Sequence, residues 1–231
     1  MLRIERINAG YGNAQVLRDL SFDVVPGEVL CLLGRNGAGK TTTLKAIMGL
    51  LPLMSGQIGL GEQVLSELAP HKVPLSGIGY IPQGRRLFSE LTVAQTLEIG
   101  LMARGTGAGV RDDVLSLFPR LRERLDQTAQ TRSGGEQLML ATARALCLKP
   151  DYLLMDEPTE GLQPSMIDAI RDVITVMRDR GVGILLVEQR VEAILSISDR
   201  VAFIENGALL ELMDANAKRA DPSIIARQLG V

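Results

Sequence analysis

Residues 34–41, Gly34-Arg35-Asn36-Gly37-Ala38-Gly39-Lys40-Thr41, carry the most specific chemical pattern in the chain. They fit G-x-x-x-x-G-K-[ST], in which glycines let the backbone curl so that successive N–H groups point inward at an anion. At this spacing Lys40 reaches the β- and γ-phosphates of a nucleoside triphosphate, the Thr41 hydroxyl meets Mg²⁺, and Thr42 donates to the inner phosphates. Gly-rich turns are often only structural, but a Lys-Thr pair at this offset is much rarer and decides for phosphate. A second pattern lies downstream, where the apolar run Tyr152–Met155 ends in Asp156-Glu157 and Pro158 follows. At the carboxyl end of a strand in an open parallel sheet, both carboxylates face the ligand crevice. Asp156 then suits Mg²⁺, held through water, and Glu157 suits a water-orienting or proton-accepting role. By itself such an acidic pair is more often a solvated strand end; the phosphate loop upstream reverses that reading.

These side chains need strands and helices to hold them. Val29–Leu33 is a short continuous apolar run, the pattern of a strand buried on both faces, and it leads straight into the loop and a helical stretch over 40–50. Further apolar strands are predicted at 78–81, 152–155, 184–187 and 201–204, most of them separated by helical periodicity such as that of 164–180. That alternation predicts an α/β fold with a mainly parallel core sheet. Residues 2–7 and 16–25 read as an N-terminal antiparallel β part joined by the Gly10-Tyr11-Gly12 turn. From about 85 to 148 the apolar spacing is helical (Leu91, Val93, Leu97, Leu101; Val114, Leu117, Leu121, Leu125), broken at Gly105–Gly109. A helical subdomain inserted into a single domain spanning 1–231 is therefore expected.

Bulk properties exclude several classes. Lys plus Arg number 25 and Asp plus Glu 27, with no Trp, three Tyr and four Phe, so neither a basic footprint nor stacking platforms for nucleic acid are present. Cys31 and Cys147 sit inside apolar segments without metal-ligand spacing, which predicts reduced core thiols in a cytosolic protein. The opening Met-Leu-Arg-Ile-Glu-Arg-Ile is too interrupted by charge for a signal peptide. No apolar run approaches the ~20 residues that span a bilayer. A soluble chain is expected, one that serves a membrane process only by docking on something that spans.

Ser133-Gly134-Gly135-Glu136-Gln137 closely resembles the signature sequence of ABC-type ATPases. Gln83 matches that family's Q-loop glutamine, and Tyr11 sits where an aromatic ring stacks on adenine. The order Tyr11, phosphate loop, Gln83, signature, Asp156-Glu157 is the family's, and the resemblance covers essentially the whole chain. It implies an ATPase that works with ATP and Mg²⁺, with Thr41, Gln83 and Asp156 at the metal and Glu157, Lys40, Gln189 and Gln83 in catalysis. It also implies a head-to-tail dimer, in which Ser133, Gly134, Gly135 and Glu136 of one subunit face the γ-phosphate held by the other. Taken singly, Ser-Gly-Gly-Glu is an ordinary helix cap. Two positions depart from the family pattern. Arg132 stands where Leu is usual, and Val187-Glu188-Gln189 replaces the ending that carries a switch histidine. His71, the single histidine, falls outside every motif and reads as a surface residue. Gln189 can donate an amide hydrogen bond to phosphate but cannot become cationic.

Glu157–Pro164, Leu186–Gln189 and Pro82–Phe88 resemble the ATPase subunits of bacterial importers for branched-chain amino acids and for urea and amides. The resemblance implies a peripheral subunit at the cytoplasmic face of the inner membrane, paired with a like or different ATPase subunit. Transmembrane permease subunits would bind it directly and a solute-binding protein would act at one remove. Branched-chain or other apolar amino acids are the preferred cargo. Urea or amide import, an exporter subunit, and a non-transport ATPase are the alternatives.

Overall fold

The computed structural model describes residues 1–84, 86–129, 133–189 and 196–215. Arg85 and Arg132, both within stretches singled out above, lie outside them.

Strand β3 (Val29–Leu33) is buried along its whole length. Because successive side chains of a strand point to opposite faces, Val29, Cys31 and Leu33 enter one core while Leu30 and Leu32 enter another. Strands β7 (Tyr152–Asp156) and β8 (Gly183–Glu188) split in the same way, Leu153 and Met155 opposing Leu154, Ile184 and Leu186 opposing Leu185 and Val187. With β6 (Ile78–Ile81), β9 (Arg200–Glu205) and β10 (Ala208–Asp214) they form a sheet in the order β10-β9-β3-β8-β7-β6. It is parallel throughout except for the β9–β10 hairpin. This is the apolar-run pattern of a sheet covered on both sides.

One cover is a second, antiparallel sheet in the order β2-β1-β4-β5, made of β1 (Leu2–Tyr11), β2 (Ala14–Val24), β4 (Leu53–Leu60) and β5 (Gln63–Val64). Helix α1 (Lys40–Ile47) shares that core through Leu44 and Ile47. β1 runs further than the sequence suggests, through Gly10 and Tyr11, and the turn to β2 is Gly12-Asn13.

The other cover is helical. Between β6 and β7 the described elements are α2 (Val93–Arg104), α3 (Ala108–Leu117), α4 (Pro119–Arg122) and α5 (Gly134–Leu146), and α6 (Pro164–Asp179) follows β7. Thr92 and Gln95 close a capping box at the start of α2, and Gly105, at φ 64°, ends the helix where the glycine-rich stretch predicts a break. Gly100 sits inside α2 because α5 passes so close that a Cβ there would meet the Arg144 carbonyl oxygen at 2.4 Å. Leu97, Val114 and Leu121 of this segment join Leu153 and Leu186 of the sheet in one continuous core.

Candidate functional site

The sheet brings the carboxyl ends of β3, β7 and β8 side by side, and the loops leaving them line one cleft of about 500 Å³. Its walls include Tyr11, Asn36, Gly37, Gly39, Lys40, Thr41, Thr42, Gln83, Glu157, Glu160 and Gln189. The cleft lies where ligands bind in open parallel sheets. Gly34, Arg35 and Ala38 line the adjoining pocket against the β9–β10 turn.

Loop geometry explains the glycines that matter. Gly39, the residue before α1, has φ 107°, and a Cβ on it would approach Leu17 Cδ2 to 2.8 Å. Outside the loop, the amide of Gly207 donates to the Ala38 carbonyl (2.9 Å), and its own carbonyl accepts from the Arg18 amide (2.9 Å). The β9–β10 turn therefore braces the phosphate loop against β2. Lys40 is 5 % exposed, its ammonium donating to the carbonyls of Gly34 (2.7 Å) and Arg35 (3.1 Å). Burial pulls its pKa down, and Glu157, Asp156 and Glu188 pull it back up.

Asp156, on the last position of β7, is 2 % exposed. Its Oδ1 accepts from the Thr41 hydroxyl (3.1 Å), while Oδ2 is buried without a hydrogen-bond partner. Burial holds its carboxyl above the usual carboxylate range, only partly offset by the bond from Thr41. A buried carboxylate oxygen with nothing to accept from costs free energy. An oxygen-seeking cation such as Mg²⁺ suits the pair formed by Asp156 and the Thr41 hydroxyl.

Glu157 adopts φ 48°, a conformation a non-glycine residue holds only where surroundings impose it. Its amide donates to the Val187 carbonyl at 2.9 Å. Gln83 donates to Glu157 Oε2 and to Glu160 Oε2, both at 3.0 Å, and the Gln189 amide donates to Glu157 Oε1. Gln83 and Gln189, both expected in catalysis, thus each bond to a third such residue, Glu157. Tyr11 is 47 % exposed at the cleft edge, with Lys45 Nζ 5.5 Å from its ring centroid and 3.3 Å from its hydroxyl.

The signature residues are elsewhere. Ser133 caps α5, its hydroxyl accepting from the Glu136 amide (3.4 Å) while Glu136 Oε2 accepts from the Ser133 amide (3.1 Å). Glu136 also pairs with Arg124 at 2.9 Å. None of Ser133, Gly134, Gly135 or Glu136 lines the cleft, so one chain alone does not unite the signature with the phosphate loop. Within the protomer the capping geometry describes these residues, and Glu136 is occupied as the reciprocal half of the box.

Sequence reasoning missed three participants. Glu160 shares the Gln83 amide with Glu157, and only its place three residues after Glu157 hinted at this. Glu188 is 3 % exposed, and its Oε1 accepts from both the amide (2.8 Å) and the hydroxyl (2.6 Å) of Thr159. A charged residue closing an apolar strand is usually solvated, so nothing local marked either partner. His71 is exposed in the short 3-10 turn Pro70–Lys72 and does not line the cleft. Cys31 and Cys147 are buried free thiols, and burial pushes both upward in pKa.

Comparison with known proteins fits this geometry. A family model described as ABC transporter matches residues 17–160. The high-affinity branched-chain amino acid transport ATP-binding protein BraG of Pseudomonas aeruginosa is 40 % identical over 232 residues, covering all of both chains. The probable branched-chain amino acid transport ATP-binding protein LivF of Archaeoglobus fulgidus is 40 % identical, covering 93 % of this chain and 94 % of its own. The lipopolysaccharide export system ATP-binding protein LptB of Escherichia coli is 33 % identical, covering 94 % and 95 %. A solved ATP-binding subunit of an ABC transporter superposes with a TM-score of 0.86 at 29 % identity, covering 97 % and 94 %. The chain belongs to the ABC transporter family, as one of its ATPase subunits.

Proposed function

We propose that the chain hydrolyses MgATP to power an importer of branched-chain or other apolar amino acids. The observation that carries the chemistry is the convergence of Lys40, Thr41, Asp156, Glu157, Gln83 and Gln189 on one cleft end. In this reading Gly34–Thr42 cradle the triphosphate, Lys40 leaves the carbonyls of Gly34 and Arg35 for the β- and γ-phosphates, and Tyr11 stacks on the adenine. Glu157 holds the attacking water and accepts its proton, while Gln83 and Gln189 fix the carboxylate by their amides. Thr41, Asp156 and Gln83 would hold Mg²⁺, which when bound neutralises charge on the phosphate oxygens.

The same reading pairs two ATPase subunits so that Ser133, Gly134, Gly135 and Glu136 of each meet the γ-phosphate held by the other. It places the pair beneath transmembrane permease subunits at the cytoplasmic face of the membrane. The permease is received by the helical segment at about 85–148. Support comes from apolar side chains left exposed there and beside it, Met102 at 72 %, Phe88 at 58 % and Leu75 at 49 %. No helix among the described residues is long and apolar enough to cross a membrane, so a spanning partner would be required. The cargo assignment rests on the 40 % full-length identity to BraG.

The chemistry is tested in purified protein by phosphate release. Glu157→Gln should bind ATP yet lose at least ~10²-fold in turnover, the scale of a lost general base. Lys40→Ala should fail earlier, at nucleotide binding. Wild-type turnover in Glu157→Gln would overturn its role. The cargo is tested by titrating the partner solute-binding protein with leucine, valine, urea and short amides; tight urea binding without an amino-acid response would overturn the assignment.

A further inference from the structure

We propose that Glu188 is a positioning residue for ATP hydrolysis, its buried carboxylate suspending the Glu157–Pro158–Thr159 turn from the end of β8. The proposal rests on the reading of Glu157 as the water-activating group.

The turn that carries Glu157 is held at both ends by consecutive residues of one strand. At its first residue, the Glu157 amide donates to the Val187 carbonyl (2.9 Å). At its third, the Thr159 amide and hydroxyl both donate to Glu188 Oε1, at 2.8 and 2.6 Å. Between these anchors Glu157 stands at φ 48°, and Pro158 offers no N–H to hold the turn by itself. Strained conformations persist only where neighbouring contacts over-determine them. Released from Glu188, the turn keeps a single backbone bond to β8, and Glu157 is free to relax away from the water it must hold.

The carboxylate is an unusual choice of anchor. Glu188 is 3 % exposed, and Thr159 is 4 % exposed, so their bonds are shielded from water. Burial raises the proton affinity of Glu188, with the Thr159 hydroxyl, the Thr159 amide and the Gln189 amide each lowering it and Glu157 raising it again. Its other oxygen accepts from the Gln189 amide N–H at 3.4 Å, and the Gln189 side chain donates to Glu157 Oε1. One buried carboxylate thus ties together the backbone of Gln189 on one side and Thr159 on the other, flanking Glu157 from both directions. A solvated strand-end glutamate would do neither.

A merely structural Glu188 would lower stability and nucleotide affinity together when removed. A positioning Glu188 separates binding from turnover. In the purified full-length protein, Glu188→Ala should lower kcat by ~10- to 100-fold, the scale of displacing a catalytic group by about 1 Å, while the Kd for ATP stays within about threefold. Glu188→Gln keeps an oxygen that accepts both Thr159 bonds and should recover most of the lost turnover. Thr159→Ala removes only the hydroxyl bond and should fall between them. Should Glu188→Ala not fold, the Thr159→Ala kcat decides, a value equal to wild type overturning the proposal. Equal losses of kcat and ATP affinity in Glu188→Ala, or no recovery in Glu188→Gln, overturn it too. Glu157→Gln run alongside separates the failures. If Glu157→Gln is inactive but Glu188→Ala is not, only the positioning role fails; if Glu157→Gln turns over normally, the reading beneath it fails.

Discussion

Asp156 has one carboxylate oxygen on the Thr41 hydroxyl and the other buried with no partner, an arrangement that serves a ligand better than it serves the fold. Burial makes the folded chain bind the Asp156 proton more tightly than the unfolded chain, whose value lies near ~4. Protonated, the group costs the fold little. Stability is therefore lost as pH rises from the unfolded value through the raised folded one. Asp156→Asn should accordingly raise the Tm of the nucleotide-free protein at pH 7, by roughly 2–4 °C if ~1 kcal/mol is recovered, while abolishing Mg²⁺-dependent turnover. Thermal melts from pH 7 down to pH 4 check this: the gain should shrink on acidification, and a gain that persists undiminished at pH 4 would contradict the assignment. The penalty is relieved in the wild type when a cation takes the free oxygen, so nucleotide with Mg²⁺ should stabilise it more than nucleotide with a chelator.

Two helices begin with the same device. Thr92 with Gln95 caps α2, and Ser133 with Glu136 caps α5. Removing either hydroxyl should cost about 0.5–2 kcal/mol of stability. Under the proposed function the Ser133 cap also faces a partner's γ-phosphate, so Ser133→Ala should lose turnover beyond its loss of Tm, whereas Thr92→Ala should lose Tm alone. Melting curves and phosphate release on both variants separate the two, and matching turnover would remove Ser133 from the site. The elements best read from sequence were those buried on both sides: 29–33 and 78–81 match β3 and β6, and the runs at 152, 184 and 201 fall short of their strands by only a residue or two. Strands β4, β5 and β10 went unseen. β4 holds two glycines and buries only Ile58, and every residue of β10 is half-buried or exposed, so neither shows clean alternation. Lys40, Thr41, Gln83 and Glu157, singled out by their motifs, do line one cleft, and Asp156 bonds to Thr41 beside it. Thr159 and Glu188 were not legible, because their bond spans 29 positions and only the pairing of β7 with β8 brings them together.

At the scale of the molecule, the cleft holds half of what the proposed reaction needs, since Ser133–Glu136 lie outside it. Glu157→Gln with MgATP should therefore accumulate as a dimer on size-exclusion chromatography while Lys40→Ala stays monomeric, and a Glu157→Gln protein that remains monomeric at saturating ATP would contradict the sandwich. A different dependence is built into the single chain. Strand β3, which launches the phosphate loop, lies between β8 and β9, and the loop is braced by Gly207 in the β9–β10 turn. All three come from the last third of the described residues. On the ribosome, the loop that would grip ATP is finished roughly 170 residues before its brace, an interval on the order of ten to thirty seconds at ordinary synthesis rates. A nascent or truncated subunit should thus be unable to hold nucleotide, and competence to bind it becomes a signal that translation has run past Gly207.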